Sequence, residues 1–148
     1  MSTPFATGGC QCGAVRYALD ARPVTAEFCH CRMCQRAVGQ VSAGFFDVDR
    51  RSFRWLTAPP ANYRSSEAAQ RGFCARCGTP LTFDGFDEPT MALSIASLDD
   101  PELVPMGGHC GIQSKVGWLR LNDGLPQRAT GEGVPAAPLW SHLEKDEA

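Results

Sequence analysis

The stretch "FCARCGTPL", residues 73–81, sets two cysteines three positions apart and follows them with a glycine. A C-x-x-C turn lets two thiolates converge on one ion. Glycine at position 78 is free to take positive φ and turn backbone amides toward the sulfurs. Nearer the N-terminus, "GGCQCGAV", residues 8–15, offers a matching half. In extended chain Cys10 and Cys12 project to one side, again just ahead of a glycine. Together Cys10, Cys12, Cys74 and Cys77 make a closed Cys₄ set, the donor set of a structural zinc. Such a site staples the N-terminal strand to the middle of the chain across 61 intervening residues.

A third cluster, "EFCHCRMCQ" (27–35), packs Cys29, Cys31 and Cys34 into six residues. Spacing alone also permits Cys31/Cys34 to pair with Cys74/Cys77, a zinc-ribbon pattern with 39 residues between, which leaves Cys10, Cys12 and Cys29 over. Under the first pairing the triplet stands alone as three thiolates. Strand alternation turns His30 away from Cys29 and Cys31, so it reads as packed rather than ligating. Three protein ligands with a fourth position open mark a catalytic rather than a structural zinc. Three thiolates make zinc a poorer Lewis acid for splitting water but a good partner for an incoming thiol, which a thiophilic ion deprotonates. A thiolate held beside an aldehyde could add to it, with a nearby donor protonating the alkoxide, and the reverse reaction would break a carbon–sulfur bond. Without metal the same thiols could form a redox site.

The 148 residues fit one domain, and 43% hydrophobic with 20% charged content is ordinary for a globular chain. A net charge of −2, with Lys and Arg scattered, gives no electrostatic case for nucleic acid or an anionic membrane. No apolar run reaches the roughly 18 residues of a membrane helix, and "MSTPFATGGC" lacks the pattern of a secretory signal. We therefore expect a cytoplasmic protein, where eight cysteines point to metal or catalysis rather than to disulfides.

Short strands are expected over 13–19, 23–29, 41–48, 51–57, 61–65, 69–74, 80–86 and 90–98, with a closing one at 117–121. Eleven prolines and fifteen glycines cut the chain too finely for long helices. Only Arg32 to Val38 and the tail "APLWSHLEKDEA" invite a helical turn. The expectation is a mostly β, sandwich-like single domain.

The ordered motifs "GGCxCGxVRY", "CHCxxCQR", "NYRSSEAAQRGFCARCGT" and "SKxxWLxLNDGLP" resemble the glutathione-dependent formaldehyde-activating (Gfa-like, CENP-V/GFA domain) family from about Gly8 to Pro126. The resemblance implies an Mss4-like β-rich fold stapled by zinc, with residues 1–7 as a tail, 8–126 as the domain and 127–148 as an extension. It implies a structural zinc on Cys10, Cys12, Cys74 and Cys77, and a second, labile zinc on Cys29, Cys31 and Cys34. The implied activity is a carbon–sulfur lyase joining formaldehyde to glutathione or another small thiol. The alternatives are a non-enzymatic zinc-binding module, or a thiol redox protein using the triplet.

The chain departs from the family at "GGHCGIQSKVGW", where Cys110 replaces a branched aliphatic residue. Cys110 reads as a small buried hydrophobe, a spare thiol near the site, or a resolving thiol. His109 is a candidate proton donor and equally a core hydrogen-bonding group. Arg32 and Arg36, flanking the triplet, are candidates for a substrate carboxylate, as are Ser114 and Lys115. Surface solvation accounts for all four equally simply. Trp118 reads as core packing, and His142 carries no signal. A β-rich domain with exposed edges could also form a homodimer.

Overall fold

The computed structural model describes residues 3–130. Among these the chain runs β1 (Ala6–Gly9), β2 (Arg16–Leu19), β3 (Thr25–Cys29), α1 (Arg32–Val38), β4 (Ala43–Asp49) and β5 (Phe53–Trp55). It continues through β6 (Ala61–Arg64), β7 (Ala69–Phe73), β8 (Pro80–Gly85), β9 (Thr90–Ser94) and β10 (His109–Cys110), with single 3₁₀ turns between. Three strands form a small sheet in the order β1-β2-β5. Seven form a larger one in the order β10-β3-β4-β9-β8-β7-β6. All named pairings are antiparallel except β10 with β3.

The sequence of β4, "AGFFDVD", shows how the sheets come to pack. Phe46 and Val48 alternate onto one face and are fully buried. Register places Ala26 and Leu93 beside Phe46, and Met91 beside Val48. That face meets Tyr17 and Leu19 of the small sheet in one apolar cluster. Each such buried side chain contributes about 1.5–3 kcal/mol. Phe45 and Asp47 alternate to the opposite face of the large sheet, where, among the described residues, no second sheet covers them. A half-covered sheet needs something else on that side, and α1 supplies part of it. The helix is short because Gly39 takes a left-handed conformation (φ 69°) and returns its N–H to the Gln35 carbonyl.

The structure departs from the sequence reading at four strands, the two-residue β10 among them, which was not expected. β1 was not expected, because its Ala-Thr-Gly-Gly composition has little strand propensity. Its pairing with β2 is dictated instead by close approach, since Gly8 lies against the Tyr17 hydroxyl and the Ser97 carbonyl. The strand expected over 90–98 ends at Ser94, where Ser97 Oγ donates to the Ser94 carbonyl (2.7 Å) and curls the chain into a 3₁₀ turn. The closing strand expected at 117–121 does not form. Lys115 Nζ donates to the carbonyls of Val116 (3.1 Å) and Leu119 (2.7 Å), which folds this segment on itself and leaves Trp118 72% exposed rather than in the core. The C-terminal helical tail and His142 lie outside the described residues.

Candidate metal centre and a thiol-lined cavity

Cys10 and Cys12 follow β1, and Cys74 and Cys77 follow β7. The two segments form matching knuckles. In each, the first cysteine exchanges backbone hydrogen bonds around the turn: Cys10 N–H to Val15 O (3.0 Å) with Gly13 N–H to Cys10 O (3.2 Å), and Cys74 N–H to Thr79 O (3.0 Å) with Gly78 N–H to Cys74 O (2.8 Å). Gly13 (φ 82°) and Gly78 (φ 83°) take the left-handed geometry that lets these turns close. Amides then reach the sulfurs: Val15 N–H to Cys10 Sγ at 3.3 Å, Arg76 N–H to Cys74 Sγ at 3.4 Å.

All four sulfurs lie within 4.8 Å of one another. Cys10 Sγ and Cys12 Sγ are 3.6 Å apart, and Cys12 Sγ and Cys74 Sγ 3.8 Å. Four sulfurs about 2.3 Å from a zinc ion in a tetrahedron stand about 3.8 Å from each other. The spacing therefore fits such an ion, which Cys10, Cys12, Cys74 and Cys77 would hold. Hydrogen bonds from the Thr79 hydroxyl, then from backbone amides, pull the Cys77 thiol down to about 5, so it is ready to ligate as thiolate. Cys74 and Cys77 thus converge with Cys10 and Cys12 rather than with Cys31 and Cys34. Among the described residues no other group of His, Cys, Asp and Glu donors is gathered as closely.

The cysteine triplet lies elsewhere, in a cavity of about 440 Å³ on the Phe45 and Asp47 face of the large sheet. Strand alternation sets its floor: Glu27 and Cys29 of β3, Phe45 and Asp47 of β4, Ala92 of β9, Phe83 of β8 and Arg71 of β7 occupy mutually paired, same-face positions. Met33 and Cys34 of α1 form one wall, Ser65 and Ser66 another, and Arg128 and Thr130 a third. Cys110 enters from β10, where it sits in register with Cys29.

The triplet is looser than the Cys₄ group. The Cys29 thiol is pushed up to about 12, first by its hydrogen bond with Cys110 and then by burial, while its hydrogen bond with Cys34 pulls the other way. The Cys34 thiol is likewise raised, chiefly by Cys29 and by burial, although Arg71 Nη2 donates to its sulfur at 3.4 Å. Cys31 Sγ is turned to Thr130 Oγ1 at 3.1 Å. The Arg71 guanidinium lies over the Phe83 ring, 4.8 Å from its centroid. Glu27 and Arg128 form a sheltered, two-pronged ion pair. Asp47 is half-buried beside them, with no cation at contact distance among the described residues, and burial pushes its carboxyl up to about 6.

The remaining candidates lie off the cavity. His109 shares the Phe28 face of the sheet and stacks on that ring. Its Nδ1 lies 2.9 Å from His30 Nε2, and its Nε2 lies 2.7 Å from Asp123 Oδ2. It is a buried structural link, one residue out of phase with the thiols, and Cys110 takes the cavity position instead. Arg32 contacts the Gln35 side chain, and with Arg36 it borders a separate shallow depression on the far side of α1. The Ser114 carbonyl accepts from Gln35 Nε2 (3.2 Å), and Lys115 is occupied by loop carbonyls.

The cationic groups in the cavity are Arg71 and Arg128, and its acids Glu27 and Asp47; none was read as a site residue. A signal existed for some of them. Glu27 and Asp47 are carboxylates inside otherwise apolar strand sequences. Arg71 stands in the motif "RGFC", three residues ahead of a metal-centre cysteine. Arg128 carries no such mark.

The chain is thus a two-sheet β domain with a four-cysteine group spaced to hold a metal ion and a separate cavity lined by further thiols. The chain belongs to the glutathione-dependent formaldehyde-activating enzyme family, whose sequence profile matches residues 5–110. A crystal structure of a Rhodobacter sphaeroides protein is similar in fold, with a TM-score of 0.54 and 19% sequence identity. The match covers 82% of this chain and 98% of that one.

Proposed function

We propose that this protein is a carbon–sulfur lyase that makes and breaks the adduct of a small anionic thiol, of the glutathione class, with formaldehyde or a similar small aldehyde. The observation that carries this reading is the cavity on the large sheet, where cysteine thiols, two guanidiniums and a half-buried carboxyl line one space. Family membership supports the reaction class. Zinc is the proposed ion at both cysteine sets, and the cytoplasm the proposed compartment, since a reducing environment keeps such thiols free.

When bound at Cys29, Cys31 and Cys34, zinc would supply a thiophilic centre that holds a small thiol in its ionised form. The chain's own groups do the rest. Arg71, placed over the Phe83 ring, presents donors to a substrate carboxylate next to the thiols. The Glu27–Arg128 pair neutralises itself and closes one end without adding net charge. Phe45, Phe83 and Ala92 exclude water from the floor. With its carboxyl raised to about 6, Asp47 keeps a larger protonated fraction near neutral pH than an ordinary aspartate, and that fraction can lend its proton to the oxygen of the aldehyde as the carbon–sulfur bond forms.

The test is exchange NMR on ¹³C-formaldehyde and glutathione with zinc-replete protein. Acceleration of adduct exchange over the uncatalysed rate, lost in Cys29→Ser, is expected. A rate equal to the uncatalysed one with glutathione and with other small anionic thiols would overturn the reading.

A further inference from the structure

The proposed reaction gives Cys110 no task, yet the fold places it carefully. β10 pairs with β3 in parallel, and its register sets Cys110 beside Cys29 on the same face, with both side chains in the cavity. In-register neighbours on adjacent strands stand about 4.8 Å apart. That lies inside the roughly 4.4–6.8 Å Cα window of a disulfide. The register is fixed from both sides. Phe28 N–H and His30 N–H donate to Gly108 and Cys110 carbonyls (2.9 Å each), while His109 N–H donates to Pro126 O (2.8 Å) and His109 O accepts from Arg128 N–H (2.9 Å). Of the other cavity thiols, Cys34 also contacts Cys29, but from α1 rather than from a paired strand and with Arg71 donating to its sulfur, and Cys31 pairs with Thr130. All eight cysteines are free in the structure.

We propose that Cys29 and Cys110 are a reversible redox pair, oxidised by the disulfide form of a small thiol that enters the cavity. Only the choice of oxidant rests on the function proposed above. Cys110, on the outer of the two strands, attacks one sulfur of the small disulfide as thiolate. One small thiolate leaves and a mixed disulfide forms on Cys110. Cys29 then attacks the Cys110 sulfur, the protein bridge closes and the second small thiolate leaves. The two protein thiols lose two electrons and two protons, and the small disulfide gains both to become two thiols. An excess of the reduced small thiol runs the same steps backward. The bridge consumes Cys29, so oxidation withdraws the cavity's central thiol, and reduction restores it.

The experiment incubates the full-length protein in glutathione/glutathione disulfide mixtures of rising oxidised fraction, quenches with an alkylating reagent, and maps bridges by digestion and fragmentation mass spectrometry. Two thiols should be lost together, with Cys29 joined to Cys110. Cys31→Ser should form the same bridge, and Cys29→Ser should instead accumulate a glutathione adduct on Cys110. A wild-type bridge between Cys29 and Cys34 or between Cys31 and Cys34 would overturn the proposal. So would the absence of any bridge in the most oxidising mixture. Mapping reads no turnover, and the lyase assay is run on reduced protein. A protein that bridges but does not catalyse therefore refutes only the lyase reading, and the converse result refutes only the redox pair.

Discussion

Replacing Asp47 with asparagine should stabilise the protein, by an amount that grows between about pH 4 and 6 and is nearly full at neutral pH. Burial, with the negative charge of Glu27 adding to it and Arg128 opposing, lifts the Asp47 carboxyl from the ordinary 3.8 to about 6. The folded protein then keeps a proton that the unfolded chain has released. Folding is penalised increasingly from about pH 4, and the penalty levels off above about pH 6. At 1.36 kcal/mol per unit of displacement the full penalty is about 3 kcal/mol, roughly half of it already present at pH 5. Asparagine fills the same space without titrating. In urea unfolding with zinc held constant, Asp47→Asn should gain about 1.5 kcal/mol over wild type at pH 5 and about 3 kcal/mol at pH 7.5. The same variant should lose lyase activity, because the proton it removes is the one lent to the aldehyde oxygen. A difference in stability that does not change with pH would refute the argument, since it would mean the Asp47 carboxyl titrates alike in the folded and unfolded chains.

Cys74→Ser should lose one zinc per chain together with the fold, read by metal analysis and circular dichroism, because a structural zinc of this kind is worth on the order of 10 kcal/mol. Arg71→Met should raise the KM for glutathione about tenfold, equivalent to about 1.4 kcal/mol of lost ion pairing, while thiols without a carboxylate are little affected. Gly8→Ala should cost about 1–3 kcal/mol in chemical unfolding, since the added Cβ would overlap the Tyr17 hydroxyl and the Ser97 carbonyl at 2.5 Å.

Alternation made most of the large sheet legible. Apolar runs such as "AGFFDV" carry their own period, and the C-x-C and C-x-x-C spacings carried the metal centre because each knuckle is a local structure closed by its own glycine. What was hidden depends on contacts between distant parts of the chain. Arg71 meets Cys34 across 37 positions, and Arg128 meets Glu27 across 101. No local pattern announces either. β10 escaped notice for a different reason. Two residues are too few to show a period, so only pairing with β3 decides which of His109 and Cys110 faces the thiols.

That two-residue strand explains why two histidines are buried side by side. His30 is fully buried between Cys29 and Cys31, and burial lowers its pKa. It meets His109, which in turn meets Asp123 at the start of the segment carrying Arg128 and Thr130. Hydrogen bonds therefore run from the cysteine triplet, through the sheet, to the chain that walls the cavity. A pair of apolar side chains could fill the same volume, but would set neither the rotation of β10 nor the path of residues 123–130. Phase matters here because a slip of one residue in β10 would exchange the faces of His109 and Cys110, putting an imidazole among the thiols and a cysteine in the core. On this view the histidines act by positioning. Replacing His109 with phenylalanine should preserve the stacking on Phe28 but release the 123–130 segment, so that Arg128 and Thr130 leave the cavity before the Cys₄ centre is disturbed. Hydrogen exchange should show new amide exposure at Ile112 and Arg128, whose N–H groups now donate to Arg128 O and His109 O. Protection at Cys10 and Cys74, whose amides are held within the metal knuckles, should be unchanged. Equal loss of protection in both regions would mean that the histidine pair supports the fold as a whole rather than this one wall.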